Sequence, residues 1–304
     1  MGQYRQFLVL FTDVNPHSAA LRRALALAHV SAAAVHVLGL FEPAVEHLLR
    51  EERLNEADAQ RQYEQFRERL AGLIERHRAS GIPLTYDSVY ADDLRSQAID
   101  YITELQPDMV IKDSEAVPAL ARVFGTPLDC ALMRATKGLT HFVPKAATAL
   151  PKRILVAVDT ALSANSDAQV AFNLALIQSA RALALQCDAR LDLLSAYNLA
   201  GVFASDINLA QAWIDEMRNA LQATFDTLAD SEGVPLERRH FKEGAPVQVI
   251  REQVRALDID AVVMGVVQPK GLDKLLGDTT ERIVSKPPCS VLAVHPHVIE
   301  TWEP

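Results

Sequence analysis

A chain of 304 residues, 49% hydrophobic and 23% charged, has the length of about two globular domains and is neither disordered nor fibrous. Its net charge of −9 argues against a general nucleic-acid binder, which needs a basic surface for phosphate. No apolar run approaches the ~18 residues of a membrane span, and the opening MGQYRQFLVLFTDV lacks a signal-peptide pattern. Cys130, Cys187 and Cys289 are odd in number and widely spaced, which fits buried thiols in a reducing compartment, the cytoplasm by default.

In chain order, QFLVLFTD at Gln6–Asp13 is a buried strand ending on an acid. Ser18–His29 is rich in alanine and leucine and reads as a helix, and Ala34–Phe41 as a second strand. In the charged segment Glu46–Ala79, residues Tyr63, Phe66, Leu70, Leu73 and Ile74 recur at helical spacing, one apolar stripe on a solvated helix. Gly81 and Pro83 close it. A strand over Leu84–Tyr90, a helix over Ala91–Leu105 and a strand at Met109–Ile111 follow. Glu115–Thr126 is loop, Pro127–Arg134 begins a helix, and Thr140–Pro144 is a short strand.

The order then begins again. RILVAVD at Arg153–Asp159 matches Gln6–Asp13, with the two acids 146 residues apart. Helix Ser163–Ala184, strand Arg190–Tyr197, helix Leu209–Ala229, strand Leu236–Phe241 and helix Pro246–Leu257 repeat the first half. Gly233-Val234-Pro235 echoes Gly81-Ile82-Pro83, and DIDAVVMGV at Asp258–Val266 corresponds to QPDMVIKDS at Gln106–Ser114. The chain is therefore read as two domains, 1–145 and 151–304, joined by Ala146–Leu150. Strand–helix alternation with right-handed crossovers makes each an α/β sandwich, a five-stranded parallel sheet of Rossmann-like type flanked by helices.

The second half ends in an informative stretch. Val262–Met264 is an apolar strand, Gly265 ends it, and Gly277 stands just before Thr279, Thr280 and Glu281, a polar helix entrance. Glycine admits close backbone approach and the N–H groups of a helix start attract phosphate, so this layout suits an anion-binding crevice at the carboxyl ends of parallel strands. Pro287-Pro288 stops the helix, and Cys289–Val294 is the last apolar run, so Cys289 reads as an inert buried thiol. His295-Pro296-His297 has no further ligand near in sequence and reads as a solvated tail; no metal site is assigned.

The chain resembles a tandem universal stress protein, two copies fused head to tail as in the E-type members. The resemblance rests on Asp13 and Asp159, on the Gly265…Gly277 loop with its TTE helix start, and on PPCSVLAV. It implies pairing of the last strands of the two copies, here Thr140–Pro144 and Ser290–Val294, as an internal pseudo-dimer, and it allows a homodimer. ATP-binding members carry G-x2-G-x9-G-[ST] after the fourth strand, with an acid at the end of the first. Carried over, this implies a nucleotide site at Asp159, Thr160, Gly265, Gly277, Asp278, Thr279 and Thr280, with Asp13, Gly125 and Thr126 as weaker first-domain counterparts. Mg-ATP would then be the ligand of the second domain, with no cofactor required. The sequence departs from the motif at Gln268, at a loop one residue short, and at Asp278, a carboxylate where a phosphate-binding hydroxyl is expected. In the first copy Lys112 and Glu115 stand at the two leading glycine positions.

Three roles follow. The first is a stress-response small-ligand sensor, taking a nucleotide or an apolar or acyl molecule beside the apolar segment Leu199–Ile207. The second is an interaction protein without a nucleotide. The third is a slow ATPase, for which no catalytic residue is assigned, Lys270 and Lys274 being near only in sequence.

Overall fold

The computed structural model describes residues 4–43, 56–114, 128–160, 167–199, 211–266 and 279–298. The chain divides into two compact units, Met1–Leu150 and Pro151–Pro304.

Unit 1 is built from β1 (Gln6–Phe11), α1 (Ala19–Ser31), β2 (Ala34–Phe41), α2 (Glu56–His77), β3 (Leu84–Tyr90), α3 (Leu94–Leu105), β4 (Met109–Ser114), α4 (Leu128–Ala135) and β5 (Leu139–Pro144). Its strands lie in the order β3-β2-β1-β4-β5, and every described pairing is parallel. Ser18 caps α1, its hydroxyl accepting from the Leu21 amide at 3.0 Å, and Asp93 caps α3 in the same way through the Arg95 amide. Leu8, Leu10, Leu38, Leu40 and Val110 meet Ala98, Ile102 and Leu132 to form one core layer. The stripe read on α2 is buried through Phe66, Leu70, Leu73 and Ile74, and Phe66 and Leu70 occupy the space left by the missing side chain of Gly39.

Unit 2 repeats the plan with β6 (Arg153–Val158), α5 (Asp167–Cys187), β7 (Arg190–Tyr197), α6 (Gln211–Ser231), β8 (Arg239–Glu243), α7 (Pro246–Ala256), β9 (Ala261–Gly265), α8 (Thr279–Val284) and β10 (Ser290–Val294), in the order β8-β7-β6-β9-β10. The strand expected at Leu236 begins three residues later. Residues 236–238 form a single 3-10 turn after Pro235, and Leu236 is 77% exposed. Helix α5 is the one described helix long and apolar enough to cross a membrane, yet it packs on β6 and β9 and buries ten residues, as a core helix does.

The backbone repeats more faithfully than the side chains. Asp108 accepts hydrogen bonds from the Arg5 and Gln6 amides at 2.7 and 2.9 Å, and Asp260 accepts from Lys152 and Arg153 at 2.8 and 3.0 Å. Each carboxylate thereby ties the start of one strand to the start of its neighbour. Left-handed residues also recur in pairs, Ala32 with Asp188, Gly81 with Gly233, and Gln106 with Asp258. Four of those six carry side chains and so tolerate a conformation that costs a non-glycine residue about 1–2 kcal/mol.

Arg23 is fully buried in unit 1. Its guanidinium donates to the carbonyls of Thr148 and Ala149 and meets His141 Nε2 at 2.6 Å, while Arg22 donates to the Ala147 carbonyl. Burial, and after it the charge of Arg23, holds His141 well below the usual imidazole range, so the ring is neutral and accepts.

Candidate functional site

In unit 2 the chain runs outward from β6 to β7 and β8, then returns to β9 on the other side of β6. By the right-handed crossover rule, that reversal puts α5 and α6 on one face of the sheet and α7 and α8 on the other. The helices diverge at the carboxyl ends of β6 and β9, where crevices form in sheets of this kind. A cavity of about 720 Å³ lies there. Strand ends supply Ala157, Val158 and Asp159, then Leu194, Ala196 and Tyr197, then Met264 and Gly265. Helix α5 adds Gln169, Phe172, Asn173 and Leu176, α6 adds Met217 and Leu221, and α7 adds Pro246 and Ile250. Asn198, Leu199, Thr279 and Thr280 complete the lining. The wall is mostly apolar, and none of these residues is Lys, Arg or His.

Asp159 is exposed at the rim, and its backbone is fixed from below. The buried Asn173 accepts from the Asp159 amide at 3.3 Å and donates to its carbonyl at 2.7 Å, and Gln169 donates to Asn173. An asparagine inside the apolar run FNLALI of α5 was the sequence signal for this support, and it passes unnoticed in a count of apolar positions. Tyr197 stacks on Phe241 with ring centroids 4.4 Å apart, and Phe241 in turn lies against Phe225. Burial, then the nearby Glu243 carboxylate, raises the Tyr197 hydroxyl pKa, so it stays protonated.

The residues expected to hold phosphate are arranged differently. Gly265 has no need of left-handed backbone. Its missing Cβ makes room for an aromatic ring, since a methyl there would sit 2.5 Å from Phe172 Cε1 and 2.7 Å from Cζ. The Thr280 hydroxyl donates to the Gly265 carbonyl at 2.6 Å, and Thr160 is buried with its hydroxyl 2.7 Å from Ser195 Oγ. Of this set, Asp159, Gly265, Thr279 and Thr280 border the cavity and Thr160 does not. Gly277, Asp278, Gly125 and Thr126, with Gln268, Lys270, Lys274 and most of the Leu199–Ile207 segment, lie outside the described residues.

Strand register corrects two equivalences drawn from the sequence. Val110 pairs with Leu8, and Val262 pairs with Leu155, so Leu8 corresponds to Leu155 and Asp159 to Thr12. Asp13 thus corresponds to Thr160, one residue beyond Asp159, and a shift of one residue turns a side chain to the other face. The same register places Asp113, not Lys112, at the position of Gly265. Asp113 accepts from the Ala20 amide in the first turn of α1 at 2.8 Å, while Lys112 pairs with Asp129 at 3.0 Å. A carboxylate already satisfies the helix start in unit 1. Leu10 and Leu40 stand where unit 2 has Ala157 and Ala196, so larger side chains occupy the corresponding crevice.

Two further expectations fail locally. Cys289 precedes β10 and is half-buried, its thiol donating to the Ser290 carbonyl, because the strand starts one residue later. His295 is buried, not part of a solvated tail, and its Nδ1 accepts from the His297 amide in a turn closed by Val298. Among the described residues, no group of three or more His, Cys, Asp or Glu could hold a metal ion.

Residues 151–295 match the universal stress protein family. The chain is 28% identical over 195 residues to a universal stress protein E homolog of Haemophilus influenzae, covering 62% of each. It is 37% identical over 89 residues to universal stress protein A homolog 1 of Coxiella burnetii, 29% of this chain and 59% of that one. The chain thus spans about three-fifths of the length of these curated relatives. Two solved structures share the fold over nearly the full length. A protein of unknown function from Pseudomonas aeruginosa has TM-score 0.72 at 22% identity, covering 98% of this chain and 95% of that one. A universal stress protein from Archaeoglobus fulgidus has TM-score 0.66 at 16% identity, covering 97% and 98%.

Proposed function

We propose that this chain, which belongs to the universal stress protein family through its second unit, is a small-ligand-binding regulatory protein whose binding site is the unit 2 cavity. The observation that carries this reading is the 720 Å³ cavity at the strand reversal, apolar in its walls and with the Asp159 carboxylate at its rim. Pockets of that volume and character suit molecules of nucleoside to cofactor size. The apolar walls would take a base or another apolar body, and Asp159 and Thr279 would meet its polar groups. Unit 1, with Leu10, Leu40 and Asp113 at the matching positions, takes no ligand in this reading. Hydrolysis is not part of the proposal: among the described lining residues none is a Lys or Arg that could stabilise a transferring phosphoryl group. Three widely spaced cysteines fit a reducing compartment, and we place the protein in the cytoplasm.

Thermal unfolding followed by tryptophan emission tests the reading. Both tryptophans, Trp213 and Trp302, lie in the second half, so the signal reports unit 2. A ligand at 100 times its dissociation constant adds about 2.7 kcal/mol of stability, and the transition moves up accordingly. A screen of Mg-ATP, adenosine and apolar small molecules in which nothing moves the transition would contradict the proposal.

A further inference from the structure

We propose that Thr85 in unit 1 carries an activated hydroxyl, a site of acyl transfer from neutral donors with a good leaving group, and that His36 is its base. The site is independent of the unit 2 cavity.

Four side chains at the edge of the unit 1 sheet carry the inference. β3 is the edge strand, and its Thr85 stands in register with His36 of β2. Thr85 is exposed, and its Oγ1 lies 2.7 Å from His36 Nδ1. The other ring nitrogen, Nε2, lies 2.7 Å from the Tyr101 hydroxyl of α3, and the two rings stack with 11° between their planes. Burial, then the charge of Asp87, raises the Tyr101 pKa, so the phenol keeps its proton. Asp87 is itself steadied by the Ser88 amide, which donates to its Oδ1 at 2.8 Å. The carboxylate draws the phenol proton toward itself. The phenol oxygen then accepts from His36 Nε2–H, and the Nδ1 lone pair is left for the Thr85 proton. Burial, offset in part by Asp87, lowers the His36 pKa, so the ring is neutral and able to accept at neutral pH. A hydroxyl bonded to a base whose far nitrogen is oriented by a third group is the arrangement that activates nucleophiles. In unit 2 strand register puts Asp192 at the position of His36, where it holds Arg190 and His240, so the fold itself does not require the cluster.

In the step, Thr85 Oγ1 bonds to the acyl carbon and its proton passes to His36 Nδ1. The bond to the leaving group breaks with its electron pair, and His36 then returns its proton to water. The Asp87 charge opposes an anionic phosphoryl donor and leaves a neutral carbonyl unopposed, which points to aryl esters and thioesters as the donor class.

The test exposes the full-length protein to p-nitrophenyl acetate and reads each acetylated residue by peptide mass spectrometry. Thr85 is expected to react about 100-fold faster than Thr103, an exposed α3 hydroxyl that donates to a backbone carbonyl, since a positioned general base contributes about 10²–10⁴-fold. Its rate should be level between about pH 7 and 8, where His36 is already neutral, whereas an unassisted hydroxyl gains about tenfold with hydroxide over that range. His36→Gln should bring Thr85 down to the rate of Thr103. Tyr101→Phe, which keeps the stacked ring, should slow Thr85 severalfold and leave its rate level with pH, as loss of a positioning residue does. A wild-type Thr85 no faster than Thr103, a rate that climbs as hydroxide does, or a rate unchanged in His36→Gln overturns the proposal.

Discussion

Gly265 separates two explanations of the same residue, one in which glycine admits a ligand phosphate and one in which it admits the Phe172 ring. Gly265→Ala distinguishes them. The backbone there is not left-handed, so alanine is sterically allowed by the main chain, and reduced freedom of the unfolded chain would by itself stabilise by about 0.4–1 kcal/mol. Against this, the new methyl would lie 2.5 and 2.7 Å from two ring carbons of a residue only 6% exposed, and 3.4 Å from Leu176 Cδ1. Overpacking of this kind costs about 1–3 kcal/mol. Phe172 borders the cavity and can swing into it, which places the net loss near 1–2 kcal/mol and shrinks the space for a ligand. For a unit of this size the melting temperature should fall by about 2–8 °C, read by tryptophan emission. Gly265→Ala with Phe172→Leu should recover much of the loss, with a coupling energy above about 0.5 kcal/mol. A single variant as stable as the wild type, or more so, refutes the packing explanation of the glycine.

Other outcomes follow from the same geometry. Ala157→Leu with Ala196→Leu gives unit 2 the residues of unit 1; it should raise the stability of the ligand-free protein by about 0.5–2 kcal/mol, as cavity filling does, while abolishing binding in calorimetry. His141 stays neutral in the folded state because burial and Arg23 depress its pKa, whereas the unfolded ring titrates near its ordinary value of about 6.5. Unit 1 stability should therefore be level above that pH and fall by about 1.4 kcal/mol per unit below it, while His141→Gln flattens the slope in hydrogen exchange of β5 peptides. Asp260→Ala removes the acceptor of two strand amides and should destabilise unit 2 by about 1.5–3 kcal/mol in urea unfolding, with Asp108→Ala doing the same to unit 1.

The architecture was legible because its signals are local and periodic. Apolar runs of five to eight residues separated by helical stripes give the strand–helix order, and Gly81 and Gly233 both adopt the left-handed turn their sequence context suggests. Two of the shortest elements slipped: β8 begins after a 3-10 turn that apolar Leu236 disguises, and Cys289 stops just short of β10. The site was harder to read because its residues act through distant partners. Asn173 reaches back 14 positions to Asp159, and Thr280 reaches Gly265 across 15. Asp13 and Asp159 look equivalent in the linear repeat, yet strand pairing sets them one residue apart. Nothing local distinguishes a glycine that receives a phosphate from one that receives a ring. Only the position of Phe172 does.

The most direct test of the account is a native mass spectrum of freshly purified protein, before and after a screen of nucleotides and apolar small molecules, beside the Ala157→Leu, Ala196→Leu variant. The account predicts one ligand mass per chain on the wild type and none on the variant, with both proteins folded. A ligand retained equally by the filled variant, or a wild type that stays empty throughout, would contradict the assignment of the unit 2 cavity as the binding site.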